Sequence, residues 1–464
     1  MATSTRPQAA AATSRADYMN GPLYKQRTNV VLVRRVRRKD EGSFRLLARL
    51  FIENQIGLAF NLIALLLLAH AFIPKARPVT GKFFTYSYFN PDTGKYGVGF
   101  DDGYFISFCI ILFTGLRAST MEYVLAPIAK LGGVSKRKDL TRFSEQAWLL
   151  VYYTIFWPLG VSLQYIYYNS KYWLSLQELW TDWPDRELSG LVKGYVLAQW
   201  AFWLQQILVI YMEERRKDHN QMLTHHFITI GLLSSCYFYH HTRVGNLILV
   251  LMDVVDIFLP LAKCLKYTGY TTICDVVFGV FMVSWVFARH IFYLMVCWSI
   301  YAHTPQYLPS GCFEGGVTNL TGPHAAPEDY GYILEPFYKP EGRICFTTAV
   351  KWAFLGSLLA LQVLTILWFC MIVRVAIRVV SGGSADDIRS DDECDNDDEE
   401  EVEEEVIEAL EEEVGVDEID LKNWERRAGV KRGAGAATAS GVSLPGHSDR
   451  KELLGRIGCE KQVD

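Results

Sequence analysis

The stretch "RKDHNQMLTHHFITIGLLSSCYFYHHTRVGNLILVLMDVVDIFLPLAKCLKY" (Arg216–Tyr267) contains two long apolar runs joined by a short polar turn. Such a pair of runs predicts two antiparallel helices, each long enough to cross about 30 Å of hydrocarbon. The first run opens with the adjacent histidines His225 and His226, and the second carries Asp253 and Asp256. Ionisable groups within an apolar span are costly, so the hairpin indicates both a membrane fold and a functional site.

The composition of the whole chain also indicates a membrane protein. Of its 464 residues 50% are hydrophobic and 14% are aromatic, and the mean hydropathy is positive. We therefore expect an all-α polytopic membrane protein with about eight transmembrane helices. Seven is the main alternative, because polar residues or a proline interrupt the second and third stretches. The apolar stretches that are long enough to span lie at residues 55–74, 103–127, 147–168, 192–211, 223–240, 244–265, 272–301 and 346–377.

The distribution of charge predicts the topology. Loops rich in Lys and Arg fall on one side when both termini are placed in the cytosol, as the positive-inside rule requires. The net charge of −5 is a sum over a basic N-terminal arm and a strongly acidic tail, whose charges partly cancel. The predicted segments are a basic cytosolic arm at 1–54, a transmembrane catalytic domain at 55–377, a lumenal loop at 303–345 within it, and an acidic, disordered cytosolic tail at 378–464.

The predicted lumenal loop and the tail carry candidate modification sites. Asn319 begins an N-x-T sequon and is a glycosylation candidate, while Cys312 and Cys345 share the same loop and are a disulfide candidate. In the tail, Ser384 and Ser390 have acidic residues at position +3, a pattern that acidophilic kinases prefer. The tail segment "VEEEVIEALEEEV" has an apolar stripe at helical spacing, which predicts a helix that docks on a partner or on the basic arm.

The histidines and aspartates of the hairpin are expected at similar depths. With the turn centred near residue 241 or 242, the position level with His225 is about residue 258, so Asp256 lies about 3 Å away along the axis and Asp253 about one turn deeper. Three interpretations remain open: hydrogen-bonded structural groups, a single zinc site, or acid–base and nucleophilic chemistry by an imidazole with a carboxylate partner. The spacing of the histidines does not match the dense patterns of di-iron oxidases.

Basic residues flank this candidate site. Arg216, Lys217 and Lys263 are predicted near its cytosolic mouth, where they could attract a polyanion such as the nucleotide end of coenzyme A. Ordinary positive-inside topology with attraction to anionic lipid is the alternative explanation.

The motifs RKD, M-x-T-H-H, R-x-G, D-x-x-D and the following lysine, in this order and spacing, resemble the signature of the longevity-assurance ceramide synthases within the TLC group. The absence of a homeobox-like insert and the presence of Met252 where animal members usually have histidine make the resemblance fungal in type. The resemblance implies six helices arranged as a barrel around a substrate cavity. It also implies acyl-CoA-dependent N-acylation of a sphingoid base in the endoplasmic reticulum membrane.

The resemblance assigns roles to single residues. His225 and His226 fall on the family's essential histidine pair, with His225 as nucleophile or general base, and Asp253 and Asp256 fall on its essential aspartates, as orienter and amine acceptor. Arg289 matches an arginine of a later span that could polarise the thioester or hold phosphate; a snorkelling or aspartate-paired arginine is the alternative.

Cofactors, partners and rival functions follow from the same reading. No cofactor and no metal are expected, since acyl-CoA is a co-substrate, and no nucleic acid is expected to bind. A homodimer or a small single-span accessory subunit is a family expectation. The rival functions are a non-catalytic TLC-type lipid carrier or cargo receptor and a membrane metal oxidase.

Overall fold

The computed structural model describes residues 31–36, 50–166, 175–213, 218–316, 319–381 and 407–412. Its contacts divide the chain into two units. One unit, Glu41–Asp398, is helical with two small sheets, and the other consists of Met1–Asp40 with Glu399–Asp464.

The helical unit contains ten helices of ten or more residues within its described ranges. These are α1 (Gln55–Phe72), α2 (Asp102–Thr120), α3 (Arg137–Ile166), α4 (Gly190–Met212), α5 (His219–Phe238), α6 (Thr242–Asp253), α7 (Val255–Tyr267), α8 (Thr271–Trp285), α9 (Tyr293–Ala302) and α10 (Thr348–Val380). The strands of both units are β1 (Val31–Val36), β2 (Phe89–Asn90), β3 (Lys95–Tyr96), β4 (Gly311–Glu314), β5 (Thr321–His324), β6 (Ile344–Phe346) and β7 (Ile407–Glu412).

All eight stretches predicted to span the membrane are helical over most of their length within the described residues, which confirms an all-α polytopic membrane protein. Within the described residues, five helices or continuous helical runs are long and apolar enough to cross a bilayer: Gln55–Phe72, Asp102–Leu131, Gly190–Met212, Thr271–Ala302 and Thr348–Val379. The other three stretches are helical but less apolar or interrupted. Helix α3 starts with charged residues, α5 contains histidines and hydroxyl residues, and the returning stretch is split into α6 and α7.

Six of the predicted spans form a closed ring. Going round it, α3 contacts α4, α4 contacts α5, α5 contacts α10, and α10 contacts the run formed by α8 and α9. That run contacts α6 and α7, which pack against α3 and close the ring. The remaining two helices lie outside, with α1 packed on α2 and α2 packed on α4. The ring is the barrel that the resemblance predicts.

Two irregularities in the ring helices lie next to the candidate site. The returning stretch is interrupted at Val254, between Asp253 and Asp256. Pro260 follows closely, and because it has no N–H it cannot bond to the carbonyl of Asp256, so the helix is weakened here. Between α8 and α9, Val286–Phe292 forms a π-helical segment, a feature that often accompanies functional sites.

The region predicted as a lumenal loop folds into a three-stranded antiparallel sheet of order β5-β4-β6. Cys312 stands opposite Cys345 in the register of β4 and β6, and a disulfide joins the two. We call this side of the ring the disulfide end. The opposite side, where α5 begins and α7 finishes, is called the His219 end.

The second unit contains a two-stranded antiparallel ribbon of β1 and β7. Strand β7 lies in the tail segment whose apolar stripe predicted a helix docked on a partner or on the basic arm. These residues do pair with the predicted arm, but as a strand, so the helical conformation is wrong for them. Its backbone register sets Val36 opposite Ile407 and Arg35 opposite Glu408.

Candidate active site

The ring encloses two cavities that meet near its middle. The first, which we call the deep cavity, holds about 940 Å³ of empty space and extends to the disulfide end, where Trp180, His241 and Phe346 line it. The second, the mouth cavity, holds about 1260 Å³ and opens toward the His219 end, where His219 and Lys263 line it. Four residues line both cavities: Trp203, His225, Asp256 and Arg289.

His225 is the histidine at this junction. Helix α5 presents its ring to both cavities, edge-on to the indoles of Trp203 and Trp368, with centroids 5.5 and 5.2 Å away. Its Nδ1 is buried and has no hydrogen-bond partner in the part of the chain that the structure describes. The ring is therefore held in place by aromatic packing, while this nitrogen is left without a hydrogen-bond partner among the described residues.

His226 lies beside it in a different environment. Its Nδ1 is 2.7 Å from the carbonyl oxygen of Met222, one turn earlier on α5. Because a carbonyl oxygen only accepts hydrogen bonds, Nδ1 must carry the proton and Nε2 then has the free lone pair. The side chain lines the mouth cavity, so this lone pair is positioned to accept a proton there.

Asp256 and Arg289 form an ion pair on the wall opposite α5. An Arg289 Nη donates to Asp256 Oδ1 at 2.8 Å and to the carbonyl of Met252 at 3.0 Å. The guanidinium lies 4.2 Å from the ring centre of Trp285, which adds a cation–π contact. The Nε–H of Arg289 is buried and has no partner among the described residues, so a donor remains at the junction of the cavities.

Asp253 does not share this wall. It is 1% exposed, and the side-chain amide of Gln199 donates to its Oδ2 at 2.9 Å. Gln199 also accepts from the Tyr152 hydroxyl at 2.9 Å and donates to Tyr195 at 3.2 Å. The two aspartates thus have different surroundings because the helix is interrupted between them. Only Asp256 lines the cavities.

Sequence reasoning did not single out Trp203, Trp368 or Gln199. The tryptophans resemble ordinary membrane-helix residues in a chain with 12 of them, and nothing in the sequence marks them. Gln199 could have been noticed, because an amide in the apolar run of α4 requires a partner within the bundle.

The other candidate residues lie outside the junction. Lys263 lines the mouth cavity, Asn319 is exposed at the disulfide end, and its side-chain oxygen accepts from the Gly316 amide at 2.9 Å. Four candidates, Arg216, Lys217, Ser384 and Ser390, lie outside the described residues. Over those described ranges, no three His, Cys, Asp or Glu side chains group as metal ligands would.

Comparison with known proteins identifies relatives of the ring. The TLC-domain family matches residues 142–374, about half of the chain, from the first turns of α3 to the last turns of α10. A ceramide synthase of Gibberella moniliformis is 46% identical over 337 residues, which are 72% of this chain and 78% of that protein. A sphingosine N-acyltransferase of Schizosaccharomyces pombe is 41% identical over 320 residues, covering 69% and 75% of the two chains. A ceramide synthase of Saccharomyces cerevisiae is 30% identical over 316 residues, covering 68% and 70%.

Proposed function

The chain belongs to the TLC-domain family and, with these relatives, to its ceramide synthases, and we propose that it transfers a fatty acyl group from acyl-CoA to the amine of a sphingoid base. The observation that carries the mechanism is the position of His225, which lies where both cavities meet and has an unpartnered ring nitrogen. No cofactor takes part in this proposal, because a thioester is already activated for acyl transfer.

The two cavities suit the two halves of acyl-CoA. The deep cavity has an apolar lining along most of its length, including Leu232, Leu249 and Leu358, as an acyl chain requires. The mouth cavity carries polar and charged side chains, among them Arg117 and Lys263, which suit the polar coenzyme A portion. When acyl-CoA binds with its chain in the deep cavity and its polar part in the mouth cavity, its thioester carbonyl lies beside His225. Arg216 and Lys217, predicted near the same mouth, would add to the attraction of its phosphates.

In the first step, a ring nitrogen of His225 attacks the thioester carbonyl carbon. The carbon–sulfur bond breaks, and the sulfur leaves as the thiol with the proton from the other ring nitrogen. This leaves an acyl group on a neutral imidazole. The Nε–H of Arg289 stabilises the negative charge that develops on the carbonyl oxygen, and Asp256 orients the guanidinium through its 2.8 Å hydrogen bond.

In the second step, the amine of the base attacks the acyl carbon. The amide forms, the bond to the imidazole breaks, and the proton lost by nitrogen returns to His225. The incoming base is an ammonium at neutral pH and must first lose a proton, which Nε2 of His226 accepts, since its Nδ1–H is bound to Met222. Asp253 acts at a distance, by holding α6 to α4 through Gln199.

Substitution of His225 tests this function. Membranes containing the full chain, supplied with acyl-CoA and dihydrosphingosine, should form ceramide and free coenzyme A thiol in equal amounts. His225→Ala should lower this rate by about 10³-fold or more, as loss of a nucleophile does. Thr224→Ala is the matched control, because Thr224 is the neighbouring residue, is exposed, and bonds only its own helix at Asn220. A protein that binds both lipids but forms no ceramide would be a carrier instead.

We also propose that the protein lies in the endoplasmic reticulum membrane with both termini and the His219 end in the cytosol. Lys263 and Lys266 at the His219 end support this orientation, as do the exposed Asn319 and the Cys312–Cys345 disulfide at the other end. Phosphorylation of Ser384 and Ser390, a homodimer and a small accessory subunit stay predictions.

A further inference from the structure

A groove runs along the outside of the ring, on the seam between α5 and α10. Small residues form its floor, Gly231 and Ser235 from α5 and Ala353 and Ser357 from α10. Gly231 and Ala353 are exposed, and a Cβ added to Gly231 would meet no atom within 4 Å. The seam therefore contains open space on the side of the ring that faces lipid.

The surface of the groove suits an alkyl chain. Its hydroxyl groups donate within the protein: Ser235 to the carbonyl of Gly231 at 2.7 Å, Ser357 to the carbonyl of Ala353 at 2.9 Å, and Tyr239 to the carbonyl of Ile333 at 2.7 Å. Their protons are thus engaged in hydrogen bonds, and the groove presents mainly carbon atoms. The groove extends along α5 from Ile228 to Tyr239, which is about 16 Å of helix rise. This length is comparable with an extended long alkyl chain.

The groove lies directly against the deep cavity. Leu232 and Phe354 line both, so these two side chains form the wall between them. The groove starts at Ile228, less than one turn along α5 from His225. A molecule in the groove would therefore have one end near the reacting histidine and the other near the disulfide end.

The reaction needs a second site for a chain. A ceramide has two alkyl chains that meet at the amide, and in the function proposed above the deep cavity holds the one that comes from acyl-CoA. We propose that the outer groove between α5 and α10 binds the alkyl chain of the sphingoid base, which enters from the bilayer while its amine reaches the acyl group past Leu232 and Phe354. This inference rests on the proposed function and adds the binding site of the second substrate.

The test compares two glycine substitutions in the purified full chain. Gly231→Phe places a ring in the groove, where an added Cβ at Gly231 would meet no atom within 4 Å. Gly356→Phe is the control: Gly356 also has no atom within 4 Å of an added Cβ, but it lies on the lipid-facing stripe of α10 with Trp352 and Leu359. Both variants are assayed with one acyl-CoA and with a long-chain and a short-chain sphingoid base.

We expect Gly231→Phe, and not Gly356→Phe, to raise the KM for the long-chain base about tenfold, since lost burial of two methylenes suffices for that. The KM for acyl-CoA and the turnover of the short-chain base should be unchanged. Equal kinetics of the two variants would overturn the proposal, as would a rise in the KM for acyl-CoA, which would assign the groove to the acyl chain.

A labelling experiment on the unsubstituted protein gives an answer even if Gly231→Phe does not fold. A sphingoid base with a diazirine near the end of its chain should label residues 231–235 or 353–357 on irradiation. Labelling confined to residues that line the deep cavity alone would overturn the proposal. The proposed function would fail separately, if the unsubstituted protein formed no ceramide from either base.

Discussion

Arg289 occupies the junction of the two cavities as a fixed donor. One of its nitrogens is bound by Asp256 and by the carbonyl of Met252, and the guanidinium lies 4.2 Å from the ring centre of Trp285. These three contacts leave the buried Nε–H without a partner in the described ranges. Lysine has a single ammonium and cannot reproduce this arrangement.

Arg289→Lys should therefore impair the chemical step more than binding. We expect kcat to fall by about 10²-fold to 10³-fold, the usual effect of removing an oxyanion donor, with little change in the KM for either substrate. Arg243→Lys is the control, since Arg243 donates to the Thr181 carbonyl near the disulfide end, away from the junction. Steady-state kinetics of purified variants measure both constants. A change in KM alone would show that Arg289 only binds substrate.

The residues of the site could be predicted in part. His225 and His226 stand out in any apolar run, and their different surroundings follow from helix geometry, because helical neighbours are about 100° apart. The separation of Asp253 from Asp256 could not be predicted, since it depends on the interruption at Val254 and on where Gln199 lies in space. Contacts between distant helices leave no local pattern in a sequence.

A buried ion pair connects the helices outside the ring to the ring itself. Lys193 of α4 is 2.7 Å from Asp102, which begins α2, and their side chains are 0% and 2% exposed. Lys193 also donates to the carbonyls of Ser87 and Gly97, and the Tyr237 hydroxyl of α5 donates to Asp102 at 2.7 Å. One pair of charges thus joins α2, α4, α5 and the segment before α2.

Lys193→Met should destabilise the fold strongly, because it leaves the Asp102 carboxylate buried without its counter-charge. Loss of one partner of such a pair costs about 3–5 kcal/mol. The double variant Lys193→Met with Asp102→Leu should recover much of this, since no uncompensated charge remains. Thermal unfolding in detergent, followed by the amount of monodisperse protein, provides the measurement. A double variant less stable than Lys193→Met would contradict this account.

The main helices could be predicted from hydropathy alone, whereas their irregularities could not. Apolar runs of sufficient length gave all eight helical stretches, because in lipid only internal hydrogen bonds can satisfy the backbone. The π-helical segment at Val286–Phe292 has no marker in the sequence. The strand Ile407–Glu412 was predicted as a helix, because its apolar spacing fits a helix locally while its pairing with Val31–Val36 is distant in sequence.

At the scale of the whole molecule, the ring provides routes by which both substrates can reach the same histidine. Acyl-CoA has a polar and an apolar half, the sphingoid base has its chain in lipid, and the reacting atoms of both must meet. The mouth cavity opens at one end, the deep cavity runs to the other, and the seam between α5 and α10 lies toward lipid. His225 is close to all three, which is why we propose that it carries the acyl group.

The most direct test of this claim is the mass of the purified protein after incubation with acyl-CoA and no sphingoid base. We expect an added mass equal to the acyl group, located on His225 by peptide sequencing. It should be absent in His225→Ala and retained in His226→Ala. When the sphingoid base is added, the added mass should disappear while ceramide appears. Ceramide formation without any such adduct at times shorter than one turnover would contradict the role of His225 as acyl carrier, because the acyl group would then pass directly from sulfur to nitrogen.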